Sequence, residues 1–199
     1  GTLYSVSRGP NRTSKVMLTF DDCPSSYSSF QNTVLAAERL GIRLALFPYG
    51  QCREWGLISF SYARAHGHYV FNHSYSHADL TTLSYNGVIN ELIGGPSGSY
   101  GRPPYGSYNF TVKNAFAARS MRIWTWNLDT RDWTGLSRTT VVNYVVKNAY
   151  AGSSVLMHMQ YAAFNETALS QIKSGLANRG LSVCRNNGAV GIYPQTLDC

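Results

Sequence analysis

Short apolar runs alternate with segments of helical periodicity along most of the 199-residue chain. Apolar runs bounded by turn residues predict strands, and apolar residues spaced three or four apart predict helices. The predicted strands cover residues 15–20, 43–48, 68–72, 121–129, 154–158 and 181–184. The predicted helices cover residues 29–40, 54–65, 88–93, 110–118, 139–149 and 166–177. We expect an irregular lead-in over residues 1–14 and a loop over 94–101.

The order of these elements predicts the fold class. Strands that alternate with helices favour an α/β fold with a mainly parallel sheet, either open or closed into a barrel. The chain has no visible internal repeat or domain boundary, so we expect a single domain over residues 1–199. A hydrophobic content of 44% and a charged content of 14% are typical of a compact globular protein.

Charge and hydropathy exclude several functional classes. No apolar run is long enough for a membrane span. The net charge of +7 comes without a Lys/Arg-rich block or a nucleic-acid-binding motif, so we expect no nucleic-acid partner. The charge fits an acidic partner such as a cell-wall polymer, or solubility alone. No signal peptide opens the sequence, and a start at Gly1 fits the mature form of an exported protein.

The chain has four cysteines and no Cys-x-x-Cys motif, which makes a zinc cluster a poor interpretation. Two disulfides in an exported protein fit better. The four residues are Cys23, Cys52, Cys184 and Cys199, and three pairings are open to them.

Two adjacent carboxylates, Asp21 and Asp22, directly follow the first predicted strand. Side chains alternate along an extended chain, so one carboxylate could bind a metal while the other faces a substrate. Neighbouring like charges raise each other's pKa, and a bound cation would remove that cost. The alternative is an Asp-rich turn without chemistry.

A pair of histidines, His73 and His77, follows the third predicted strand. Four-residue spacing within one helical turn would put both rings on the same side. Together with one Asp oxygen they would form a three-ligand site with an open position, the arrangement of catalytic zinc. Cobalt or nickel would also suit these ligands. His66 and His68 flank a glycine before a strand, and we assign them no metal role.

Five short motifs between residues 19 and 158 together resemble one known family. They are Thr19-Phe20-Asp21-Asp22-x-Pro24, His73-Ser-x-x-His77, Arg102-Pro-Pro-Tyr105-Gly106, Asp129-Thr-Arg-Asp132-Trp133 and Leu156-Met-His158. In this order they resemble the motifs of the NodB-homology polysaccharide deacetylases, carbohydrate esterase family four. The resemblance implies an irregular, often incomplete (β/α) barrel and metal-dependent removal of acetyl groups from a polysaccharide. In a parallel barrel, polar residues at strand ends gather on one face.

The resemblance also implies a role for each matching residue. The implied metal ligands are Asp22, His73 and His77. The implied catalytic groups are Asp21 as the base for the attacking water, His158 as the general acid, the backbone N–H of Tyr105 as the oxyanion donor, Arg102 as the partner of Asp21 and Asp132 as the partner of His158. The implied walls of the acetyl pocket are Trp133 and Leu156.

Some residues near these motifs have a structural alternative. Asp129 could cap the loop after its strand or touch the substrate, and we leave both open. We expect Trp124 and Trp126 to belong to the core.

The match departs from the family at Cys23, where the family usually has glycine. Pro24 steers its predecessor toward extended geometry, which cysteine can adopt. Because neighbouring strands bring their following loops together, we hypothesise a disulfide between Cys23 and Cys52. Cys184 and Cys199 would then pin the C-terminal tail.

The leading functional hypothesis is an exported, monomeric deacetylase with zinc, acting on N-acetylglucosamine polymers such as chitin or peptidoglycan. An acetylxylan esterase is the alternative, because the same centre can cleave esters. A catalytically inactive relative that binds wall polysaccharide is a third hypothesis, kept open by Cys23. A phosphoester hydrolase gains little support, since no second cluster offers another metal site.

Overall fold

The computed structural model describes residues 6–199, and its elements follow the predicted alternation of strands and helices. The strands are β1 (Val6–Ser7), β2 (Met17–Asp21), β3 (Ala45–Phe47), β4 (Tyr69–Val70), β5 (Tyr100–Gly101), β6 (Arg122–Trp124), β7 (Leu128–Asp129) and β8 (Ser154–His158). The helices are α1 (Tyr27–Arg39), α2 (Gly50–Glu54), α3 (Phe60–Ala65), α4 (Tyr85–Gly94), α5 (Phe110–Ala118), α6 (Arg138–Asn148) and α7 (Glu166–Asn178).

The strands form two parallel sheets that together make an incomplete barrel. One sheet has the order β4-β3-β2-β8-β7 and the other has the order β1-β6-β5. A parallel bridge between Asn72 and Gly101 joins the end of β4 to β5. Within residues 6–199 no strand pair links β7 to β1, so the barrel does not close. The predicted α/β fold with mainly parallel strands and an incomplete barrel is confirmed.

Strand β2 lies at the centre of the larger sheet, and its side chains point alternately to the two faces of that sheet. It therefore contributes to two separate apolar clusters. Leu18 and Phe20 pack into a cluster with residues of α1, α6 and α7 on the outer face. Met17 packs on the inner face with the aromatic residues Phe47, Phe71, Tyr100 and Trp124. Since side chains two positions apart share a face, Asp21 follows Met17 to the inside of the barrel.

Three predicted elements differ from the structure. The single helix predicted over 54–65 is two helices, α2 and α3, because Gly56 adopts a left-handed φ of 72° and Ser59 caps a new helix. The strand predicted over 121–129 is β6 and β7, which belong to different sheets. The strand predicted over 181–184 is reduced to a bridge between Val16 and Val183.

Two further boundaries also differ. Part of the predicted lead-in, Val6–Ser7, is strand β1, and residues 1–5 of that prediction lie outside the described residues. The predicted loop over 94–101 ends in strand β5, and α4 extends to Gly94.

The structure contains both hypothesised disulfides, Cys23–Cys52 and Cys184–Cys199. The first joins the loop after β2 to helix α2. Cys23 has no left-handed backbone, so its place in a glycine position creates no conformational conflict. The second disulfide holds the C-terminal tail beneath the barrel, where the buried Arg43 donates to the Asp198 carbonyl oxygen at 2.8 Å. Among residues 6–199, no helix combines the length and the apolar character that a bilayer span requires.

Candidate functional site

A pocket of about 400 Å³ opens where the strands end, and we call it the strand-end pocket. It is lined by Asp21, His73, His77, Tyr105, Gly106, Trp126, Asp129, Trp133, Leu156 and His158. Three further predicted residues, Asp22, Arg102 and Asp132, contact these lining residues directly. The structure therefore brings all of the predicted metal-ligand, catalytic and wall residues together.

Asp22, His73 and His77 form a preorganised ligand set. Oδ1 of Asp22 lies 3.3 Å from Nε2 of His73 and 3.3 Å from Nε2 of His77, and the three ligand atoms all lie within 4.8 Å of one another. This Oδ1 is buried yet accepts no hydrogen bond. A buried acceptor without a donor is costly, whereas a cation at this point would satisfy it.

The surroundings of His73 also fit a metal ligand. Its Nδ1 donates to the Arg102 carbonyl oxygen at 2.6 Å, which leaves Nε2 facing Asp22. Such an outer hydrogen bond fixes the tautomer and the ring of ligating histidines. Two imidazoles and one carboxylate are a donor set that suits zinc, with room for further ligands. The residues present therefore fit a divalent cation.

The two rings meet through a loop and not through the predicted helical turn. His73 and His77 have ring centroids 5.0 Å apart. Between them the chain is non-helical, and Ser74 and His77 adopt left-handed φ values of 71° and 62°. The prediction of a shared side was correct, but its structural reason was wrong.

Hydrogen bonds to two buried polar side chains hold this strained loop in place. Ser74 N–H donates to Oδ1 of Asn72 at 2.7 Å, and His77 N–H donates to Oγ of Ser74 at 3.0 Å. Left-handed conformations of non-glycine residues cost about 1–3 kcal/mol each, and they cluster at functional sites. The loop is therefore built to present His77 to Asp22.

Asp21 is held by a buried arginine. Arg102 Nη1 lies 2.7 Å from Oδ1 of Asp21 and also donates to Oγ1 of Thr19. The remaining donors of Arg102 reach the carbonyl oxygens of Trp124 at 3.1 Å and Thr125 at 2.6 Å. Asp21 is 3% exposed and Arg102 is fully buried. The other oxygen of Asp21 lies 3.7 Å from Nε2 of His73, which places it beside the ligand set.

His158 is oriented by Asp132. The two carboxylate oxygens of Asp132 accept from Nδ1 and from the backbone N–H of His158, at 2.7 and 2.8 Å. Burial lowers the pKa of His158, but the hydrogen bond to Asp132 and the charges of Asp21, Asp132 and Asp22 raise the pKa to about 9. Asp132 therefore favours the protonated form of the ring; it occupies Nδ1, and Nε2 is left for the pocket.

The turn after Arg102 places the backbone of Tyr105 at the pocket wall. Tyr105 has a left-handed φ of 63°, and the turn's own hydrogen bonds are donated by the N–H groups of Gly106 and Ser107. Gly106 has φ 66°, and a Cβ there would lie 2.5 Å from the Trp126 ring. This glycine therefore allows the turn to pack closely against Trp126.

The apolar walls include one residue that we expected in the core. Trp124 is fully buried, as predicted, but Trp126 is half-buried and lines the strand-end pocket. That part of the prediction was wrong because the chain leaves β6 after Trp124. Trp133 is 56% exposed and Leu156 is buried, and both line the pocket. Asp129 accepts the N–H of Arg131 at 2.9 Å, which fits a loop cap; it also lines the pocket, and contact with the substrate stays a prediction.

Two polar residues of the site were missed from the sequence. Gln160 donates from Nε2 to Oδ2 of Asp22 at 2.9 Å, which leaves Oδ1 for the ligand set. Thr19 accepts from Arg102. The period-two alternation of β2 places Thr19 on the same face as Asp21 and could have signalled it. Gln160 lies beyond a strand end, where the pattern carries no such signal.

The remaining histidines, His66 and His68, make contacts away from the strand-end pocket. His68 is buried, and its ring nitrogens lie at hydrogen-bonding distance from the Leu44 N–H and the Val34 carbonyl oxygen. His66 pairs with Glu38 at 2.9 Å. In the described part of the chain, the group of Asp22 and the two histidines of the pocket is the one cluster suited to a metal.

Comparisons with known proteins agree with this geometry. A family model described as polysaccharide deacetylase matches residues 8–124. The chain is 31% identical over 182 residues to a bifunctional xylanase/xylan deacetylase from Cellvibrio japonicus, covering 87% of this chain and 27% of that protein. It is 29% identical over 165 residues to a peptidoglycan-N-acetylglucosamine deacetylase from Bacillus cereus, covering 78% of this chain and 59% of that protein. The chain thus spans less than two thirds of each of these relatives.

A solved structure shares the fold over nearly the whole chain. It is a family 4 carbohydrate esterase from Streptomyces lividans in complex with acetate. The TM-score is 0.75 at 29% identity, and the match covers 91% of this chain and 98% of that one.

Proposed function

Because the chain belongs to the polysaccharide deacetylase family, we propose that its strand-end pocket hydrolyses acetyl groups on an acetylated polysaccharide. The single observation that carries the proposal is the ligand set of Asp22, His73 and His77 beside a buried carboxylate and an imidazole held by a second carboxylate. A relative that only binds polysaccharide would not need a ligand set, a carboxylate and a histidine arranged around one pocket. Hydrolysis therefore explains the arrangement better than binding alone.

We propose that Asp22, His73 and His77 hold one divalent cation, with zinc as the first choice. Such a cation lowers the pKa of water and polarises a carbonyl group. Arg102 donates to Oδ1 of Asp21 and fixes the direction of that carboxylate. Asp21 would accept the proton of the attacking water at Oδ2, the oxygen that Arg102 leaves free.

The other groups act on the acetyl group and on the sugar. The N–H of Tyr105 would donate to the oxyanion that develops on the acetyl carbonyl; removing one such donor typically costs about 3–4 kcal/mol of barrier. His158 would transfer the proton on Nε2 to the departing nitrogen or oxygen of the sugar. Trp133 and Leu156 would exclude water around the acetyl methyl. We propose that residues 1–199 form a single domain.

We propose two classes of polymer as substrates. N-acetylglucosamine polymers are our first proposal, and acetylxylan is the second, since the two curated relatives carry the names of peptidoglycan and xylan deacetylases. Both polymers are extracellular, and two disulfides suit an exported protein.

Acetate release from chitin oligomers, peptidoglycan and acetylxylan, with zinc supplied, tests the proposal. We expect release from at least one polymer, and the preferred polymer identifies the bond cleaved. Binding to insoluble chitin or peptidoglycan without acetate release from any polymer would contradict the proposal and favour the binding relative.

The pH profile tests the assignment of His158 as the acid. A raised pKa means that the proton is kept at pH values where an ordinary histidine has lost it, and that it leaves as the pH rises through the raised pKa. Asp132→Asn removes the carboxylate that raises it, so we expect the alkaline limb of kcat to move down by about one pH unit or more. Asp129→Asn is the matched control, because it removes a pocket charge that does not bond to His158. An alkaline limb that stays in place in Asp132→Asn would refute the assignment.

A further inference from the structure

A second cavity of about 380 Å³ adjoins the strand-end pocket, and we call it the side cavity. The two share a wall formed by Tyr105, Gly106, Trp126 and Asp129. Beyond that wall the side cavity is lined by Arg8, Tyr108, Thr125 and Asn127. Its size lies within the range of small-molecule sites. Apart from Tyr105, its lining residues have no part in the chemistry proposed above.

The shared wall determines what could enter the side cavity. If the acetylated unit of a polymer occupies the strand-end pocket, a unit linked to it lies against this wall. This step rests on the proposed function. The lining offers three aromatic residues, Tyr105, Tyr108 and Trp126. It also offers the hydroxyl of Thr125 and the amide of Asn127. Amphipathic aromatic rings and neutral hydrogen-bonding groups suit the apolar faces and hydroxyl groups of a sugar ring.

Arg8 adds a charge to this otherwise neutral part of the lining. It directly follows β1, which pairs in parallel with β6 so that Ser7 lies opposite Trp124. Thr125 N–H donates to the Ser7 carbonyl oxygen at 2.8 Å. A Cβ on Gly9 would lie 2.7 Å from Oδ1 of Asn127, so the backbone on the other side of Arg8 is also closely packed. The position of Arg8 beside the cavity is therefore set by the fold.

The charge of Arg8 is available to a ligand. Its side chain is exposed, and none of the ion pairs found among residues 6–199 involves it. Asp129, the carboxylate in the shared wall, accepts the N–H of Arg131. A guanidinium presents a planar fork of donors that matches a carboxylate.

We propose that the side cavity binds the sugar unit next to the acetylated one and that Arg8 selects units bearing a carboxylate. Two kinds of polymer unit have this chemistry: a uronic acid attached to xylan, and an amino sugar whose lactyl ether keeps a free carboxylate, as in peptidoglycan strands without their stem peptides. Chitin has no carboxylate and gains nothing from Arg8. The proposal therefore makes this chain a deacetylase of acidic polysaccharides.

Matched substrates and matched variants test the proposal. Acetylated xylo-oligosaccharides with and without a uronic acid form one substrate pair, and N-acetylglucosamine oligomers with and without peptide-free lactyl-ether units form the other. Arg8→Gln removes the charge from the side cavity. Arg12→Gln removes an equal charge from a separate cavity of about 140 Å³ and serves as the control.

We expect Arg8→Gln to raise KM roughly 3- to 10-fold for the carboxylated member of at least one pair, with no change for the neutral member. The pair that responds identifies the source of the carboxylate. Arg12→Gln should change neither, and the effect of Arg8→Gln should shrink at high ionic strength. Equal effects of Arg8→Gln on carboxylated and neutral substrates, or no effect on either, would overturn the proposal.

A binding measurement separates this proposal from the proposed function. Calorimetry with the deacetylated forms of the same oligosaccharides needs no turnover. We expect tighter binding of the carboxylated form to the wild type and loss of that preference in Arg8→Gln, while Tyr108→Ala weakens binding of both forms. If no polymer releases acetate but the wild type still prefers the carboxylated form and Arg8→Gln does not, the proposed function is wrong and the side-cavity proposal is supported. If the wild type shows no preference for the carboxylated form, the side-cavity proposal fails whatever the acetate assay shows.

Discussion

Asp21→Asn is expected to lower kcat for acetate release by about 10²–10⁴, the range typical of a lost general base. The amide keeps the size of the side chain and can still accept from Arg102, but it cannot take a proton from water. Asp21 lies beside the ligand set, with its Oδ2 3.7 Å from Nε2 of His73, but the cluster suited to a metal does not include it. We therefore expect the zinc affinity of this variant to stay within a few-fold of the wild type.

The matched control is the neighbouring substitution Asp22→Asn. It removes one of the three ligand atoms and should lose both zinc affinity and turnover. Steady-state kinetics and zinc titration of the two variants separate a base from a ligand. An Asp21→Asn enzyme that retains more than about a tenth of the wild-type kcat would contradict the assignment of Asp21 as the base.

Arg102→Met is expected to lower the free energy of unfolding by about 3–5 kcal/mol, the usual cost of removing one partner of a buried ion pair. The substitution leaves Asp21 buried at 3% exposure without a cation. It also leaves Thr19, Trp124 and Thr125 without their donor. Arg102→Lys should destabilise less but still measurably, because one ammonium group cannot reach all of these acceptors. Denaturant unfolding of the metal-free protein measures both effects.

The double variant Asp21→Asn/Arg102→Met shows whether the pair itself is responsible. Removing the stranded charge should recover part of the stability lost in Arg102→Met, which gives a coupling energy between the two positions. A double variant no more stable than Arg102→Met would show that lost packing, and not the unpaired carboxylate, causes the destabilisation.

The sequence predicted the elements near the site with good accuracy. β8 and α5 have the predicted bounds, and β2 differs from its prediction by only a few residues. These segments are apolar on the faces that they bury, so their periodicity reports their packing directly. The short strands after α5 were harder, since β6 and β7 lie next to each other in the chain but belong to different sheets. Local pattern carries no information about which sheet a strand joins.

The site was predicted through its residues and not through its backbone. The alternation argument for Asp21 and Asp22 assumed an extended chain, yet Asp22 adopts a left-handed φ of 73°. The histidine loop likewise depends on the left-handed Ser74 and His77. Hydrogen bonds such as that from Ser74 to Asn72 stabilise these conformations. The conformational preferences of the residues themselves do not predict them. Trp126 was misplaced for a related reason, because its environment depends on the close approach of Gly106.

The central claim is that one divalent cation on Asp22, His73 and His77 is required for deacetylation. We would strip the wild-type protein with a chelator, titrate zinc into it and follow bound zinc and acetate release together on the preferred polymer. The account predicts no release before zinc is added and full release at one equivalent, with Asp22→Asn binding zinc at least about 10-fold more weakly. Equal acetate release from the stripped protein with and without zinc would contradict the account.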